Sequence, residues 1–183
     1  IDPILTAAHI ITSLQQVISR NCSPTIPSVL SFGKIEGLGA TNVIPNEVKL
    51  EGTFRTMNEE WSEKANHLIK KQTTFIANGL EATADINIIK GYPFLENDIN
   101  LTELAKTNLI AHFGAENVIK LPIRMTGEDF AFFAQKIPAT FIRIGVKNEA
   151  KGIIYPVHNS RFDIDENALQ VGMETLLTIV FSK

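Results

Sequence analysis

The sequence has a single cysteine, Cys22, among its 183 residues. One cysteine excludes a disulfide framework within the chain, and it excludes a zinc cluster built only from thiolates of this chain. We therefore interpret Cys22 as a small residue near a helix end and not as a catalytic group.

The sequence also lacks a cluster of Lys and Arg, and its formal net charge is -3 with a pI near 5.8. A nucleic-acid partner therefore has no electrostatic support. The apolar N-terminal stretch lacks the basic region of a signal peptide, and Asp2, His9 and Gln15 interrupt it, so it is typical of an amphipathic helix. From these absences we expect no nucleic-acid partner, no membrane association and a cytoplasmic protein.

The composition is 44% hydrophobic and 20% charged, which is typical of a globular chain with a buried core. The chain starts at Ile1, and its first predicted helix follows almost at once. We expect it to be a piece of a longer protein.

The first half of the sequence predicts the order helix, strand, strand, helix, strand. Asp2 is the expected N-cap of the first helix, since proline follows it, and Asn58 is the expected N-cap of the second, which Gly79 ends. This order is a split β-α-β arrangement of the α+β class without its first strand. The predicted strands are 28–36, 47–56 and 81–93; the apolar positions are Ile4, Ala7, Ala8, Ile11, Leu14, Val17 and Ile18 in the first helix, Trp61, Ala65, Leu68, Ile69 and Ile76 in the second, and Ala82, Ala84, Ile86 and Ile88 in the third strand.

The second half predicts a helix over 101–113 with Asn100 and Glu103 as its capping box, followed by a short helix within 126–137. The run ATFIRIGV, residues 139–146, is typical of a strand buried on both faces of a mainly parallel sheet. A last helix is capped by Asp165. Because one buried strand cannot form a sheet, we expect this half to be the remainder of a larger α/β domain. The apolar stripe of the last helix is Leu169, Met173, Leu176, Leu177 and Val180.

Of the four histidines, His9, His67 and His112 lie within predicted helices and are interpreted as structural or surface residues. His158 differs because it lies in a loop of small and polar residues. Three polar residues follow closely enough to include a hydrogen-bond partner for an imidazole that ligates a metal, and an incidental surface histidine is the alternative. Those residues are Asn159, Asp163 and Asp165.

Two further side chains are candidates for substrate contact. Gly37 and Gly39 allow a sharp turn, and Asn42 presents its amide at the end of that turn. Arg55, on the polar face of the next strand, is suited to bind a carboxylate through two donors. The alternatives are an asparagine that satisfies turn backbone and an arginine in a solvated ion pair.

Glu128 and Asp129 are possible acid or base groups, but a pair of acids at a helix start usually serves the helix dipole. We favour that structural interpretation for both.

Five stretches, in order and spacing, resemble the aminoacylase, hippurate hydrolase and auxin-conjugate hydrolase group of two-metal amidohydrolases, metallopeptidase family twenty. They are DPILTAAHIITSLQQVISR, TNVIPNEVKLEGTFRT, GYPFLEND, MTGEDFAFF and VHNSRFDIDENALQVG. The resemblance implies a fold that combines α/β and α+β parts. Residues 1–92 would be a ferredoxin-like lid, two helices on an antiparallel sheet with the first strand missing. Residues 93–183 would be the C-terminal segment of a zinc-peptidase-like α/β catalytic domain.

By the same resemblance, His158 matches the family's C-terminal metal-ligand histidine. Asn42 and Arg55 match lid residues that contact the carboxylate and the scissile carbonyl region of the substrate. Gly127 and Glu128 match a segment that lines the substrate pocket. No catalytic residue is carried over, because the family's catalytic glutamate and its other metal motifs are expected upstream of this chain.

The function implied is hydrolysis of an N-acyl amino acid or a small peptide-like substrate with two divalent metal ions, zinc first and manganese, cobalt or nickel as alternatives. The partners implied are the missing N-terminal catalytic half and a second copy, giving a homodimer through the lid. We expect the 183 residues alone to be inactive. Two other interpretations stay open: a non-catalytic dimerisation or binding module, and part of a related dipeptidase or carboxypeptidase.

Overall fold

A computed structural model of the protein describes residues 1–181 and divides them into two compact units. The first unit is Ile1–Leu95 together with Arg124–Asp129, and the second is Glu96–Ile123 with the chain from Phe130 onward. The described residues form five α-helices and a two-stranded antiparallel sheet, a mixed α/β architecture. None of these helices has the length and apolar character needed to cross a membrane. The last two residues of the predicted domain 93–183 lie outside the described residues.

The first unit contains two long helices and both strands of the sheet. The predicted caps are confirmed: Asp2 Oδ1 accepts a hydrogen bond from the Leu5 amide at 3.0 Å, and Asn58 Oδ1 accepts one from the Trp61 amide at 2.7 Å. Each cap satisfies an amide that the first helical turn leaves without a partner. The elements are α1 (Pro3–Asn21), β1 (Ser28–Glu36), β2 (Lys49–Thr56) and α2 (Glu59–Gly79).

Strands β1 and β2 pair in antiparallel register, with Ser28 opposite Thr56. A bulge at Gly33 shifts the register, because Phe32 is opposite Gly52 while Lys34 is opposite Glu51. Arg55 lies on the polar face of β2: Leu50 and Phe54 turn toward the core, and Arg55 alternates with them and is exposed.

The core of the first unit lies between α1, α2 and one face of the sheet. Its members are Ile10, Leu14, Val17, Trp61 and Ala65, with Leu30, Phe32, Leu50, Phe54, Leu68, Ile69 and Ile76 packed against them. The predicted α1 stripe is right at Ala7, Leu14 and Val17 but wrong at Ile4 and Ala8, which are exposed. The buried stripe of α1 is rotated toward Thr6 and Ile10, because those positions share a face with Leu14 and Val17.

The predicted third strand is not formed within the described residues. Residues 82–90 carry no strand ladder, although Ala82, Ala84, Ile86 and Ile88 are half-buried in alternation with exposed neighbours. The alternating burial typical of a strand is thus present, but the backbone of residues 82–90 forms no ladder. No described segment lies beside it as a hydrogen-bonded strand. The ferredoxin-like arrangement of the first unit therefore stays a prediction.

The second unit contains α3 (Ile99–Phe113), a 3-10 turn (Ala115–Asn117), α4 (Ala131–Ala134) and α5 (Asn167–Phe181). The capping-box prediction for α3 was wrong, since Asp98 is the N-cap and its carboxylate accepts from the Leu101 amide at 2.8 Å. Gly114, with φ of 86°, ends α3 directly after Phe113, the predicted last residue of the helix. His112 joins α3 to α5 through Glu174 Oε2, 3.1 Å from its Nε2, which confirms a structural interpretation of that histidine.

The predicted buried strand over 139–146 is also not formed in the described residues. Asn97 instead takes part of the role of a neighbouring strand, because its side-chain oxygen accepts from the Phe141 amide at 2.9 Å and its nitrogen donates to the Phe141 carbonyl at 3.2 Å. The Asp98 amide donates to the Ala139 carbonyl at 2.8 Å. A central strand of a parallel sheet pairs with another strand along each of its edges, and no described segment pairs with residues 139–146 as a strand.

The predicted apolar stripe of α5 is exposed in the described chain. Only Thr175 of this helix is buried. The helix α5 packs against α3, and this packing leaves the stripe exposed in the described residues. The exposed fractions are 62% for Leu169, 62% for Met173, 67% for Leu176, 55% for Leu177 and 70% for Val180.

Leu14→Ala should lower the free energy of unfolding by about 2 to 5 kcal/mol, because Leu14 is 1% exposed and its loss leaves a cavity between α1, α2 and the sheet. Urea unfolding of the protein measures this. Leu38→Ala is the control, since Leu38 is 95% exposed and its removal should change the free energy by less than about 0.5 kcal/mol. Equal effects of the two substitutions would contradict the packing described.

Candidate functional site

The five predicted site residues divide between the two units. Asn42, Arg55, Gly127 and Glu128 belong to the first unit, and His158 belongs to the second.

Asn42 lies at the tip of a tight turn between β1 and β2. The Ala40 amide donates to the Val43 carbonyl at 3.0 Å, and the Val43 amide donates back to the Ala40 carbonyl at 3.0 Å. The turn requires Gly39, because a Cβ there would lie 2.4 Å from the Val43 carbonyl oxygen. The Asn42 side chain is exposed and forms no hydrogen bond with residues 1–181, so the turn is closed by backbone alone.

Arg55 extends from the exposed face of β2 and donates from Nη1 to the Met125 carbonyl at 2.7 Å, within the first unit. Over the described part of the chain it has no carboxylate partner, so the alternative of a surface ion pair is not what the structure contains. A guanidinium has five N–H donors, and one bond to a carbonyl leaves donors for an anion. The bond to Met125 links Arg55 to the segment Arg124–Asp129.

That segment contains Gly127 and Glu128. A Cβ at Gly127 would lie 3.3 Å from Tyr92 Cδ2, so a larger residue would press on this ring. Glu128 is half-buried, and both it and Asp129 precede α4, which begins at Ala131. The interpretation of the two acids as first-turn residues of a helix was therefore wrong, because the helix is shorter than its apolar pattern predicts.

His158 lies on a loop, residues 154–164, whose ends are held together. The preceding hairpin is closed by Asn148 and Ile153, which exchange backbone hydrogen bonds of 3.0 and 2.8 Å. At the other end, the Asp165 amide donates to the Val146 carbonyl at 3.0 Å. The loop therefore leaves and rejoins the fold at neighbouring points.

The backbone of His158 is in the left-handed region, with φ of 69°. The Asn159 amide donates to the Pro156 carbonyl at 3.2 Å, so His158 occupies the third position of a β-turn whose second residue has a negative φ. This is the pattern of a type II turn, which favours glycine at that position. A side chain there costs roughly 1 to 3 kcal/mol, and such strain is concentrated at functional sites. The imidazole is exposed and forms no hydrogen bond with the described residues.

The polar residues after His158 are engaged elsewhere. Asn159 Oδ1 accepts from the Arg161 amide at 2.9 Å, and Asp163 Oδ1 accepts from the Ile164 amide at 2.8 Å. Asp165 accepts from Asn148 Nδ2 at 2.5 Å and from Lys151 Nζ at 2.7 Å. The expectation that one of the three residues supports the imidazole directly is therefore not met in this structure.

Asp165 was predicted both as a possible partner of the imidazole and as a helix cap, and its carboxylate does accept from the Asn167 amide at 3.3 Å. Its partners Asn148 and Lys151 were missed, although Gly152 after them signals a turn. Hydrogen bonds from Lys151 and then Asn148 lower the pKa of the Asp165 carboxyl from 3.8 to about 2. The charged form is therefore the one that the fold stabilises.

The residues present fit one position of a metal centre and no more. An exposed imidazole with no hydrogen-bond partner in the described chain can ligate a divalent ion as the neutral form. Across residues 1–181, no group of three or more His, Cys, Asp or Glu side chains is gathered for a metal. His158 could thus be one ligand of a centre whose other ligands are not among these residues.

The sequence model of Peptidase family M20/M25/M40 matches residues 5–182 of this chain. An IAA-amino acid hydrolase of Arabidopsis thaliana is 33% identical over 176 residues, covering 94% of this chain and 40% of the relative. A thermostable carboxypeptidase of Saccharolobus solfataricus is 30% identical, covering 100% of this chain and 46% of the relative. The chain thus spans about half the length of the curated relatives it matches.

A crystal structure from Bacillus subtilis, described as a dinuclear metal binding peptidase from the M20 family, is similar to this chain with a TM-score of 0.75 and 27% identity. The match covers 98% of this chain and 45% of that one. The mixed α/β architecture of the described residues is therefore found in a solved member of that family.

The left-handed backbone at His158 predicts that His158→Gly is more stable than His158→Ala by about 1 kcal/mol, because glycine alone relieves the Cβ clash. Urea unfolding of the two variants measures the difference. Ser160 has no positive φ, so Ser160→Gly and Ser160→Ala serve as the matched pair and should show no advantage for glycine. An alanine variant at 158 as stable as the glycine variant would show that the turn is not strained.

The lowered pKa of Asp165 predicts a pH-dependent stability. Its folded pKa is about 2 and its ordinary value is 3.8, so its stabilisation is complete above 3.8 and is lost as the pH falls through about 2. The difference in unfolding free energy between the protein and Asp165→Asn should therefore be larger at pH 6 than at pH 2. Asp129→Asn, an exposed acid outside this cluster, should show a smaller change between the same two pH values. A difference independent of pH at position 165 would contradict the ion pairing.

Proposed function

The chain belongs to Peptidase family M20/M25/M40, and from that premise we propose that it is part of a metal-dependent amidohydrolase. The proposed reaction is hydrolysis of the amide bond of an N-acyl amino acid or a small peptide-like substrate. The observation that carries the proposal is the family match across residues 5–182, nearly the whole chain. The names of the relatives, an IAA-amino acid hydrolase and a carboxypeptidase, agree with hydrolysis next to an amino acid.

In this proposal His158 holds one metal ion through a neutral imidazole nitrogen. Two divalent ions, zinc first among the candidates, would supply Lewis-acid polarisation of the amide carbonyl and a more acidic bound water. The description of the Bacillus subtilis relative as dinuclear supports a pair of ions. The remaining ligands of the metal ions, and the group that moves protons, would come from the N-terminal catalytic half of the enzyme. Among the described residues of this chain, no cluster of ligands surrounds His158.

Arg55 is proposed to bind the carboxylate of the substrate. Support comes from its exposed position on β2, its lack of a carboxylate partner among residues 1–181, and the bond to Met125 that limits its motion. A guanidinium can hold a carboxylate through two parallel hydrogen bonds. The proposal requires a substrate with a free carboxylate, as an amino acid product or a peptide C-terminus has.

Asn42 is proposed to donate its amide to the carbonyl oxygen of the scissile bond as negative charge develops there. An amide donor placed at such an oxygen contributes more in the transition state than in the bound substrate. Its exposed side chain is not used by the turn that presents it. Gly127 and Glu128 are proposed to line the same substrate site.

A carboxypeptidase or dipeptidase is the second candidate, favoured by the name of the Saccharolobus solfataricus relative, a thermostable carboxypeptidase. It differs from the first in substrate and not in the roles of His158 and Arg55. A non-catalytic binding module is the remaining alternative, and it assigns no function to a strained, exposed histidine.

Self-association into a homodimer through the first unit is proposed as well. The support is the two-stranded sheet, since each strand has one edge with no strand partner among the described residues. Sedimentation equilibrium of the protein tests this, with a monomer at micromolar concentration as the contradicting result.

Arg55→Ala in the complete enzyme should lower kcat/KM for N-acyl amino acids by roughly a hundredfold, the order expected for losing a two-donor contact with a charge. Its metal content should stay unchanged, since Arg55 is not a ligand. Lys49→Ala is the matched control, because Lys49 is also exposed and positively charged on β2, and it should leave kcat/KM within about twofold.

His158→Ala should instead lower the bound metal, measured by elemental analysis after dialysis against a defined zinc concentration. Metal loss is expected because a site that loses one of its protein ligands binds zinc more weakly. Full metal content and full activity in both the His158 and the Arg55 variants would reject the site assignment.

A further inference from the structure

We propose that Asp165 is a positioning residue for His158, acting with Asn148 and Lys151 as a clamp that closes the loop of residues 154–164. The inference rests on the proposed function in one respect, because it takes His158 to be a metal ligand. It adds Asn148 and Lys151, which lie outside the sequence motif that carries His158, and it gives Asp165 an indirect role in place of the direct bond to the imidazole that the sequence suggested.

The clamp has a junction at Asn148, which binds both ends of the loop. Its backbone exchanges two hydrogen bonds with Ile153, immediately before the loop, and its Nδ2 donates to Asp165 Oδ2, immediately after it. Lys151 Nζ donates to the other carboxylate oxygen, Asp165 Oδ1, at 2.7 Å. The carboxylate therefore ties the end of the loop to the hairpin from which the loop begins, in addition to the backbone bond from the Asp165 amide to the Val146 carbonyl.

The loop itself has few bonds that could hold it without the clamp. Two backbone hydrogen bonds lie within it, from the Asn159 amide to the Pro156 carbonyl at 3.2 Å and from the Phe162 amide to the Asn159 carbonyl at 3.0 Å. The guanidinium of Arg161 lies 4.0 Å from the centre of the Tyr155 ring. These contacts shape the turns locally, but they do not connect the loop to the helix that follows it.

A metal ligand must be held within a fraction of an ångström of its working position, and a loop meets this requirement only when its ends are fixed. The strained φ of 69° at His158 adds to the need, because a free loop would relax to a backbone that lacks this strain. The clamp supplies the fixed ends. We therefore assign it a role in the affinity of the metal and not only in the stability of the fold.

The chain offers a matched control for Asp165 in the adjacent acid. Glu166 Oε2 also lies near Lys151 Nζ, at 3.1 Å, but its side chain is 78% exposed, whereas that of Asp165 is 13% exposed. Glu166 receives no bond from Asn148, so it does not join the two ends of the loop. Glu166→Gln thus removes one charge beside Lys151 and leaves the clamp in place.

The first measurement is amide hydrogen exchange of the metal-free protein. Asp165→Asn and Lys151→Met should each speed exchange at the Asn159 and Phe162 amides by about tenfold, because a loop with released ends opens more often. Exchange within α1 and α2 should be unchanged, and Glu166→Gln should match the unaltered protein. Unchanged exchange at both loop amides in both clamp variants would overturn the proposal.

The second measurement is the zinc Kd of the complete enzyme, from competition with a chelator. Asp165→Asn and Lys151→Met should each raise Kd by about tenfold, the lower end of the effect expected for residues that orient a ligand. In a His158→Ala background, neither substitution should raise Kd further, because the ligand that they position is absent. Additive effects in that background would show a merely structural role and overturn the proposal.

These outcomes separate the inference from the proposed function. If His158→Ala leaves Kd unchanged, the metal role of His158 fails, and the proposed site fails with it. If His158→Ala weakens zinc binding and the two clamp variants do not, the positioning role alone fails. Should Asp165→Asn not fold, Lys151→Met carries the test, since Lys151 is exposed and its loss leaves the bond between Asn148 and Asp165 in place.

Discussion

Asn148 holds two segments of the second unit together at one point. Its backbone pairs with Ile153, and its side chain binds the Asp165 carboxylate, so the chain between them must form a closed loop. His158 lies on that loop in a backbone conformation that a residue with a side chain adopts only at a cost. The position of the imidazole is thus set by loop closure and not by a helix or a strand.

In the first unit, regular secondary structure positions the side chain of Arg55. Packing of α1 and α2 on one face of the sheet leaves the other face of β2 exposed, and the period of two along the strand then places Arg55 on that exposed face. The carbonyl of Met125 holds the guanidinium by one donor. A rigid strand and one hydrogen bond together present a cation with donors that a carboxylate can use.

Local features were predictable from the sequence, and features that need distant partners were not. The predictable features depend on neighbours within a few residues or on a simple period. They are the helix caps Asp2 and Asn58, the strands β1 and β2, and the exposed position of Arg55. The third strand, the strand over 139–146 and the buried stripe of α5 each require a neighbouring layer, and within residues 1–181 that layer is missing. The link from Asn148 to Asp165 crosses an entire loop, so no local pattern indicates it, and the left-handed turn at His158 has no glycine to signal it.

The central claim is that His158 ligates a metal ion. The most direct measurement is an anomalous difference map at the zinc edge from crystals of the complete enzyme loaded with zinc. The account predicts a peak about 2.0 to 2.1 Å from an imidazole nitrogen of His158, the usual zinc–nitrogen distance. Zinc peaks in the crystal with none within bonding distance of that imidazole would contradict it.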